Sequence, residues 1–522
     1  MVLFILKVVK DMARALKSSN FNVSQNKINS IADLHFSKEY MLRLYSPSPI
    51  KKKPTIRFSL RSANYTAMES PLLTITICGG GNGAHVAAGY LASRKGFRVN
   101  VLTRRPKDWS QMITVYTEKS SWAYKGTITG TLYCVTDDPS LVISGSDIIF
   151  VAAPANAHYP ILKKIACYLQ PHVLLGTLFA QGGFDWAVLR ALDGDLSRVH
   201  AIFGIQNIPW LCRIREYGKS VEILGPKQSL WLASIPLESA CSTARLVAVM
   251  FEIRTEVVPN FLSLTLTPSN QIIHPARYFG IFHDWDGVSP IKKDKIQWGL
   301  YSEMDSLSAF WMEKLDTELQ NIKKGLVKRV PALDLSYVIP LGQRVVLQYQ
   351  DDVGDCTNLQ TIFATNRAYA ECITPVTEVP GGYKPAVHSR LFWEDIPYGL
   401  CILKNIAEML NLATPAIDKM IEWHQHFMNK SFLINGSLNR EIISETASPE
   451  AYGIRDIEKL VFPSLPVEVQ KALLENKKEE AYYKNDWGQT ASGAHVMETD
   501  FALKASANGL PRVHSVTLKG RL

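Results

Sequence analysis

The chain has 522 residues, 47% of them apolar and 20% charged, which is the balance of a globular protein with room for two or three domains. No apolar run approaches the roughly 20 residues of a membrane-spanning helix, and the N-terminal VLFILKVV is short and carries Lys7. The formal charge of +9 is concentrated: residues 1–69 hold twelve Lys or Arg against four Asp or Glu, a balance of +8, so the rest is near neutral and gives no charge argument for nucleic acid or a membrane surface.

Residues 1–70 read as a basic extension, rich in Ser and Asn and without glycine. That composition matches a removable organellar targeting segment. A disordered tail, or a start at Met68, accounts for it as well. The eight cysteines are scattered, with no C-x-x-C pair and no His/Cys ligand spacing. This is the pattern of reduced intracellular thiols, cytoplasmic or organellar, and not of a disulfide framework or a metal site.

The body opens at Leu72–Cys78, an apolar and β-branched run of the length of a buried parallel strand. Gly79, Gly81 and Ala84 then form G-x-G-x-x-A, with Gly80, Asn82 and Gly83 between them. The first small residue permits the tight turn. The second lets a pyrophosphate approach the backbone, and the third lets the helix pack close to the strand. A helix to about Arg94 and a second strand, Arg98–Leu102, complete a dinucleotide-binding unit. An Asp or Glu at the end of that second strand would bond the ribose hydroxyls of NAD. This chain has Thr103, Arg104 and Arg105, which suit the 2′-phosphate of NADP; as a bland alternative, the arginines are solvated loop residues.

Strand and helix signals continue to alternate. Ser146–Ala155 is a strand ending in a loop with Pro154, 161–169 is helical, and 172–180 and 199–207 are further strands. The alternation predicts an α/β, Rossmann-type, doubly wound parallel sheet over 71–260. KSVEILG and SLWLASIP look like an added hairpin, and a helix at 237–252 closes the domain. From 261 to 460 the pattern is helical. In TPAIDKMIEWHQHFM, Thr414 is the expected cap, Pro415 sits in the first turn, and Ile417, Met420, Ile421, His424 and Met428 share one face. Residues 461–522 read as an extension with one charged helix, Val467 to Tyr483.

A nucleotide domain followed by a helical domain places substrate in the cleft between them. Two stretches of the helical part carry suitable chemistry: NQIIHPARYFG, with Asn270 and His274, and SRLFWEDIPYG, with Arg390 and Asp395. Hydride transfer to a C=N or C=O carbon needs a proton donor beside the heteroatom, the usual work of histidine. A carboxylate behind it fixes the tautomer, and an arginine suits a substrate carboxylate. By residue type alone a His before Pro more often marks a helix start than a catalyst, Asp395 is also a fair N-cap, and His85, His158, His283 and His388 compete for the role.

CGGGNGAH, AAPANAH, FAQGGF, QNIPWLCRIREYGKSVEILG, NQIIHPARYFG and RLFWEDIPYG occur in one order, and that succession resembles the opine dehydrogenase family, particularly the octopine dehydrogenase type, over about residues 72–456. The resemblance implies a Rossmann domain joined to an all-α domain of the 6-phosphogluconate dehydrogenase C-terminal kind. It also implies NADH- or NADPH-dependent reductive condensation of a 2-oxo acid with the amino group of an amino acid. His274 matches the catalytic histidine, Asp395 its carboxylate partner, and Arg390 the arginine that holds a substrate carboxylate. Gln181 matches a residue lining the substrate side of the nicotinamide pocket. Asn270 stands where octopine-type members can carry an aromatic residue near the amino substrate, which puts arginine as that substrate in question. A simpler 2-oxo or 2-hydroxy acid reductase and a non-catalytic nucleotide-binding protein are the rival expectations.

Overall fold

The computed structural model describes residues 73–117 and 126–475. The basic extension, and with it the targeting expectation, lies outside the described residues. Those up to Val467 form one compact unit that contains both domains, and those from Glu468 form a second. In the second, only the first part of the expected helix is described, and it is helical through Glu475.

The N-terminal domain runs β1 (Leu73–Cys78), α1 (Asn82–Ala92), β2 (Phe97–Leu102), β3 (Met112–Tyr116), β4 (Thr127–Thr131), β5 (Cys134–Thr136), β6 (Ile148–Val151), α2 (His158–Ile165), β7 (Leu174–Thr177), α3 (Phe184–Ala191), β8 (Ala201–Ile205), β9 (Trp210–Glu216), β10 (Ser220–Pro226), β11 (Ser229–Ile235), α4 (Ala240–Phe251) and β12 (Arg254–Val257). The main sheet has the order β12-β11-β8-β7-β6-β1-β2-β5. From β5 to β8 every pairing is parallel. In chain order those six strands read 3-2-1-4-5-6, the doubly wound dinucleotide-binding arrangement. Strands such as Ile148–Val151 are buried along their whole length because helices cover both faces. Val86, Leu91, Val247 and Met250 of α1 and α4 form the core on one side. Leu162, Ile165, Phe184 and Val188 of α2 and α3 form it on the other.

The expected hairpin of KSVEILG and SLWLASIP is not formed. Strand β10 is interior to a second, four-stranded sheet of order β4-β3-β10-β9, so both of its edges are taken. Strand β11 instead joins the main sheet, antiparallel to β8 and parallel to β12. A two-residue link between β-rich runs suggests a hairpin locally, and partner strands elsewhere in the chain override it.

The second domain contains α5 (Phe261–Thr265), α6 (Asn270–Phe282), α7 (Ser306–Arg329), α8 (Leu341–Tyr349), α9 (Leu359–Ala364), a short hairpin β13–β14 (Val376–Val379 and Gly382–Pro385), α10 (Arg390–Trp393), a π-helical turn at Ile396–Leu400, α11 (Cys401–Met409) and α12 (Pro415–Met428). Its spine is α7. The Asp305 side chain accepts from Ser308 N at 2.7 Å to start it. Met312, Leu315, Leu319, Ile322 and Leu326, spaced three and four apart, bury its inner stripe. All five of the residues expected on the inner face of α12 are buried. Thr414 does not cap that helix through its side chain. Glu318 of α7 does so, accepting from Ala416 N and Ile417 N at 2.7 and 2.9 Å. A carboxylate at a helix N-terminus is the stronger acceptor and favours the dipole.

Candidate active site

The glycine loop follows β1 at the carboxyl edge of the sheet, beside the loop that follows β6 and contains Pro154. Gly79 has φ +154, and a Cβ there would lie 2.2 Å from the Ala152 carbonyl oxygen, so no other residue fits. At Gly80 a Cβ would meet the Tyr217 hydroxyl at 2.7 Å. At Gly81 it would meet nothing within 4 Å, so the backbone there faces open space. Gly81 is also the N-cap of α1, and no side chain caps the helix. An uncapped first turn opening on free space is what a pyrophosphate needs. Asn82 is tied back by its Oδ1, which accepts from Ile214 N at 3.0 Å. Gly83 and Ala84 are buried against the sheet, as close packing of α1 requires.

Thr103 is buried at the end of β2, and Arg104 and Arg105 are exposed. The two arginines are not equivalent. Arg105 stacks over the Tyr217 ring at 3.8 Å and pairs with Asp108 at 3.5 Å. Arg104 has no such partner among the described residues.

Across the cleft, His274 lies inside α6, one residue before the internal Pro275, and not at a helix start. Its Nδ1 donates to Asp395 Oδ2 at 2.7 Å, which fixes the tautomer and leaves Nε2 as acceptor. Nε2 receives the Tyr301 hydroxyl at 2.8 Å. Burial holds the Tyr301 phenol well above its usual range, so it stays a donor.

Local structure explains the convergence. Asp395 precedes the π-helical turn, and Leu400 N reaches back five residues to the Asp395 carbonyl at 2.9 Å. Gly399 in that turn touches α6 so closely that a Cβ would lie 2.5 Å from Gln271 Cβ. Tyr301 lies in an irregular loop held by Arg277, one turn after His274 on α6. Fully buried, Arg277 donates to the carbonyls of Gly299, Leu300 and Glu303 and to the Asp305 carboxylate.

Arg390 is half-exposed and paired with Glu394 one turn on, Nε to Oε2 at 2.8 Å. Glu394 is buried, and its other oxygen accepts from Ala155 N at 3.0 Å, directly after Pro154, so it bridges the helical domain to the cofactor loop. Gln181 donates from Nε2 to the Thr267 carbonyl at 2.9 Å and lines a narrow cleft with Gln271, Glu394 and Asp395. Asn270 is the first residue of α6, one turn before His274 on the same face.

The competing histidines have other occupations. His85 is buried, bonded to the Gly81 carbonyl and to Gly218 N, and burial lowers its pKa to about 4. His158 is likewise buried and held to about 4. His283 pairs with the exposed Asp284, and His388 is exposed. Sequence reading missed Tyr301 and Glu394. Glu394 carried a signal in its i, i+4 spacing from Arg390; Tyr301 carried none.

Residues 257–428 match the NAD/NADP octopine/nopaline dehydrogenase α-helical domain. An octopine dehydrogenase of Pecten maximus is 30% identical over 400 residues, 74% of this chain and 98% of that one. The chain belongs to the opine dehydrogenase family. A tauropine dehydrogenase of Arabella iricolor is also 30% identical, over 75% of this chain and 100% of that one. A solved octopine dehydrogenase with NADH and L-arginine has a TM-score of 0.66 at 30% identity, covering 74% of this chain and 97% of that one. The chain is thus an NAD(P)-dependent oxidoreductase built from a Rossmann-type and a helical domain. No helix among its described residues is long and apolar enough to cross a membrane.

Proposed function

We propose that this chain joins a pyruvate-like 2-oxo acid to the amino group of an amino acid and reduces the resulting imine, with His274 and Asp395 as the proton-handling pair. The observation that carries the reading is the 2.7 Å bond from His274 Nδ1 to Asp395, which lines the cleft together with Gln181 and with Ala155 of the loop after β6. NAD(P)H, when bound on Gly79–Ala84, supplies the hydride.

The neutral amine attacks the oxo carbon and water leaves. His274 Nε2 takes and returns the protons these steps require, and Asp395 stabilises the imidazolium formed in between. Tyr301 donates to the one lone pair of Nε2, so its hydroxyl gives up that position when the substrate proton is taken, and Tyr301 stays protonated itself. Arg390, at the half-exposed mouth of the cleft, anchors the oxo-acid carboxylate, and Glu394 orients its guanidinium. Gln181 and Asn270 line the substrate side. The cleft is narrow, so substrates enter as the domains part, and closure excludes water. Arg104 at the end of β2 favours NADPH over NADH, because Arg105 is already engaged.

The test is cofactor oxidation with pyruvate and a panel of amino acids, with the product identified by mass. A secondary amine formed only when both substrates are present supports the reading. Reduction of pyruvate to lactate without any use of the amine refutes it.

A further inference from the structure

A second cluster of buried polar groups spans the two domains away from His274 and Asp395. Gln206 follows β8 at the carboxyl edge of the sheet, while Arg344 and Gln348 lie one turn apart on α8. Arg344 and Gln206 are 3% and 1% exposed. Arg344 Nη1 donates to Gln348 Oε1 at 2.5 Å, and Gln348 Nε2 donates to Gln206 Oε1 at 2.7 Å. Asn207 donates to both of those oxygens, at 3.3 and 3.0 Å. The acceptors are therefore filled twice over, while two buried donors, Arg344 Nε and Gln206 Nε2, have no partner among the described residues.

Among the described residues no carboxylate forms an ion pair with Arg344. The carboxylate that acts on it, Asp316, is engaged by Leu341 N and Gln320 Nε2. A guanidinium taken out of water without an anion is a costly arrangement, and surplus donors beside it call for an anionic acceptor. The cluster adjoins the reacting centre through a chain of aromatic rings packed edge-on or tilted. Tyr349 of α8 contacts Tyr369 at 4.9 Å, Tyr369 contacts Tyr301 at 4.7 Å, and Tyr301 bonds His274. Lys227 bonds the Tyr349 hydroxyl and adds positive charge.

We infer that Arg344 and Gln206 hold the acidic end of the amino substrate's side chain, a carboxylate or sulfonate, so that this enzyme selects acidic amino acids. Arg344 lies within electrostatic reach of Tyr301, the partner of His274, so in this proposal the far end of the side chain meets Arg344 while its amine stays at the reacting centre. This rests on the amine-joining reading above and names its substrate class.

The experiment compares kcat/KM at fixed pyruvate and NADPH for glutamate against glutamine, aspartate against asparagine, cysteate, and arginine. Acidic members are expected to exceed their amides by roughly 10- to 100-fold, the range of a charge-assisted bond in a buried site. Glutamate against cysteate separates carboxylate from sulfonate. Arg344→Gln should erase the preference. Gln206→Glu, which places a carboxylate beside Arg344 with little change of shape, should shift it toward glutamine and arginine, and it serves if Arg344→Gln does not fold. Equal or better use of amides or arginine by the wild-type enzyme overturns the inference while leaving the amine-joining reaction standing. Turnover with no amino acid at all, with pyruvate still reduced, overturns both.

Discussion

Replacing Gly399 by alanine tests how the fold assembles the His274–Asp395 pair. The added methyl would lie 2.5 Å from Gln271 Cβ and 3.3 Å from Gln271 Cα. Carbon atoms rest at about 3.5–4.0 Å, so the π-helical turn and α6 must separate by about 1 Å. The obstacle is a helix backbone and its first side-chain atom, not the tip of a flexible chain, and it yields little. His274 is one turn along α6 from Gln271, and Asp395 is four residues before Gly399. A displacement of that size stretches the 2.7 Å bond beyond hydrogen-bonding range. Overpacking of this kind costs about 1–3 kcal/mol of stability. A misplacement of about 1 Å costs on the order of 10²-fold in turnover. Gly399→Ala should therefore fold with a lowered Tm, bind NADPH as the wild type does, and lose most of its kcat. Steady-state kinetics, thermal melts and cofactor-fluorescence titration read the three quantities. Wild-type kcat in a folded Gly399→Ala enzyme would refute the claim that this close approach sets the dyad.

Other predictions follow from the same geometry. Tyr301→Phe removes the donor to His274 Nε2 and should lower kcat roughly 10-fold, on the scale of one lost hydrogen bond, with little change in KM; a pH–rate profile like the wild type's in shape and height would show that the hydroxyl is idle. Arg104→Ala should weaken NADPH binding more than Arg105→Ala, because Arg105 is held by Tyr217 and Asp108; equal NADPH affinity in the wild type and both variants would remove the case for a 2′-phosphate contact. Burial depresses the pKa of His85 and His158 to about 4 and of His424 to about 3. Unfolding lets each take up a proton near its ordinary 6.5, so their stabilising effect is complete above about 6.5 and is lost as pH falls toward those folded values. His424→Phe, among the Phe392 and Trp423 rings, should flatten the fall of Tm between pH 6.5 and 4. An unchanged slope would mean that His424 does not contribute to it. A chain starting at Met68 should keep its activity and Tm, and an inactive or insoluble product would end the targeting reading.

The dinucleotide unit was legible because its signal is local: strand, glycine turn and helix lie within about thirty residues, and each glycine has its own steric reason. The inner face of α12 was legible for the same reason, since its apolar spacing is that of one helix. The dyad was legible only in part. Residue types nominated His274 and Asp395, family resemblance ranked them, and their contact spans 121 positions. Tyr301 gave no signal because its position is set by Arg277 gripping an irregular loop. Arg344 and Gln206 were equally silent, because an unpaired buried guanidinium exists only once two domains enclose it. The false hairpin arose where local β character was right and the partner was wrong.

The central claim is that His274, held by Asp395, handles the protons of amine condensation and imine reduction. The most direct measurement is turnover of His274→Ala at saturating pyruvate, amino acid and NADPH, followed as the mass of the secondary amine product, with NADPH affinity measured alongside. The account predicts a loss on the order of 10²–10⁴-fold in product formation with cofactor affinity intact, since the glycine loop lies on the other domain. Near-normal formation of the secondary amine by that variant would contradict it.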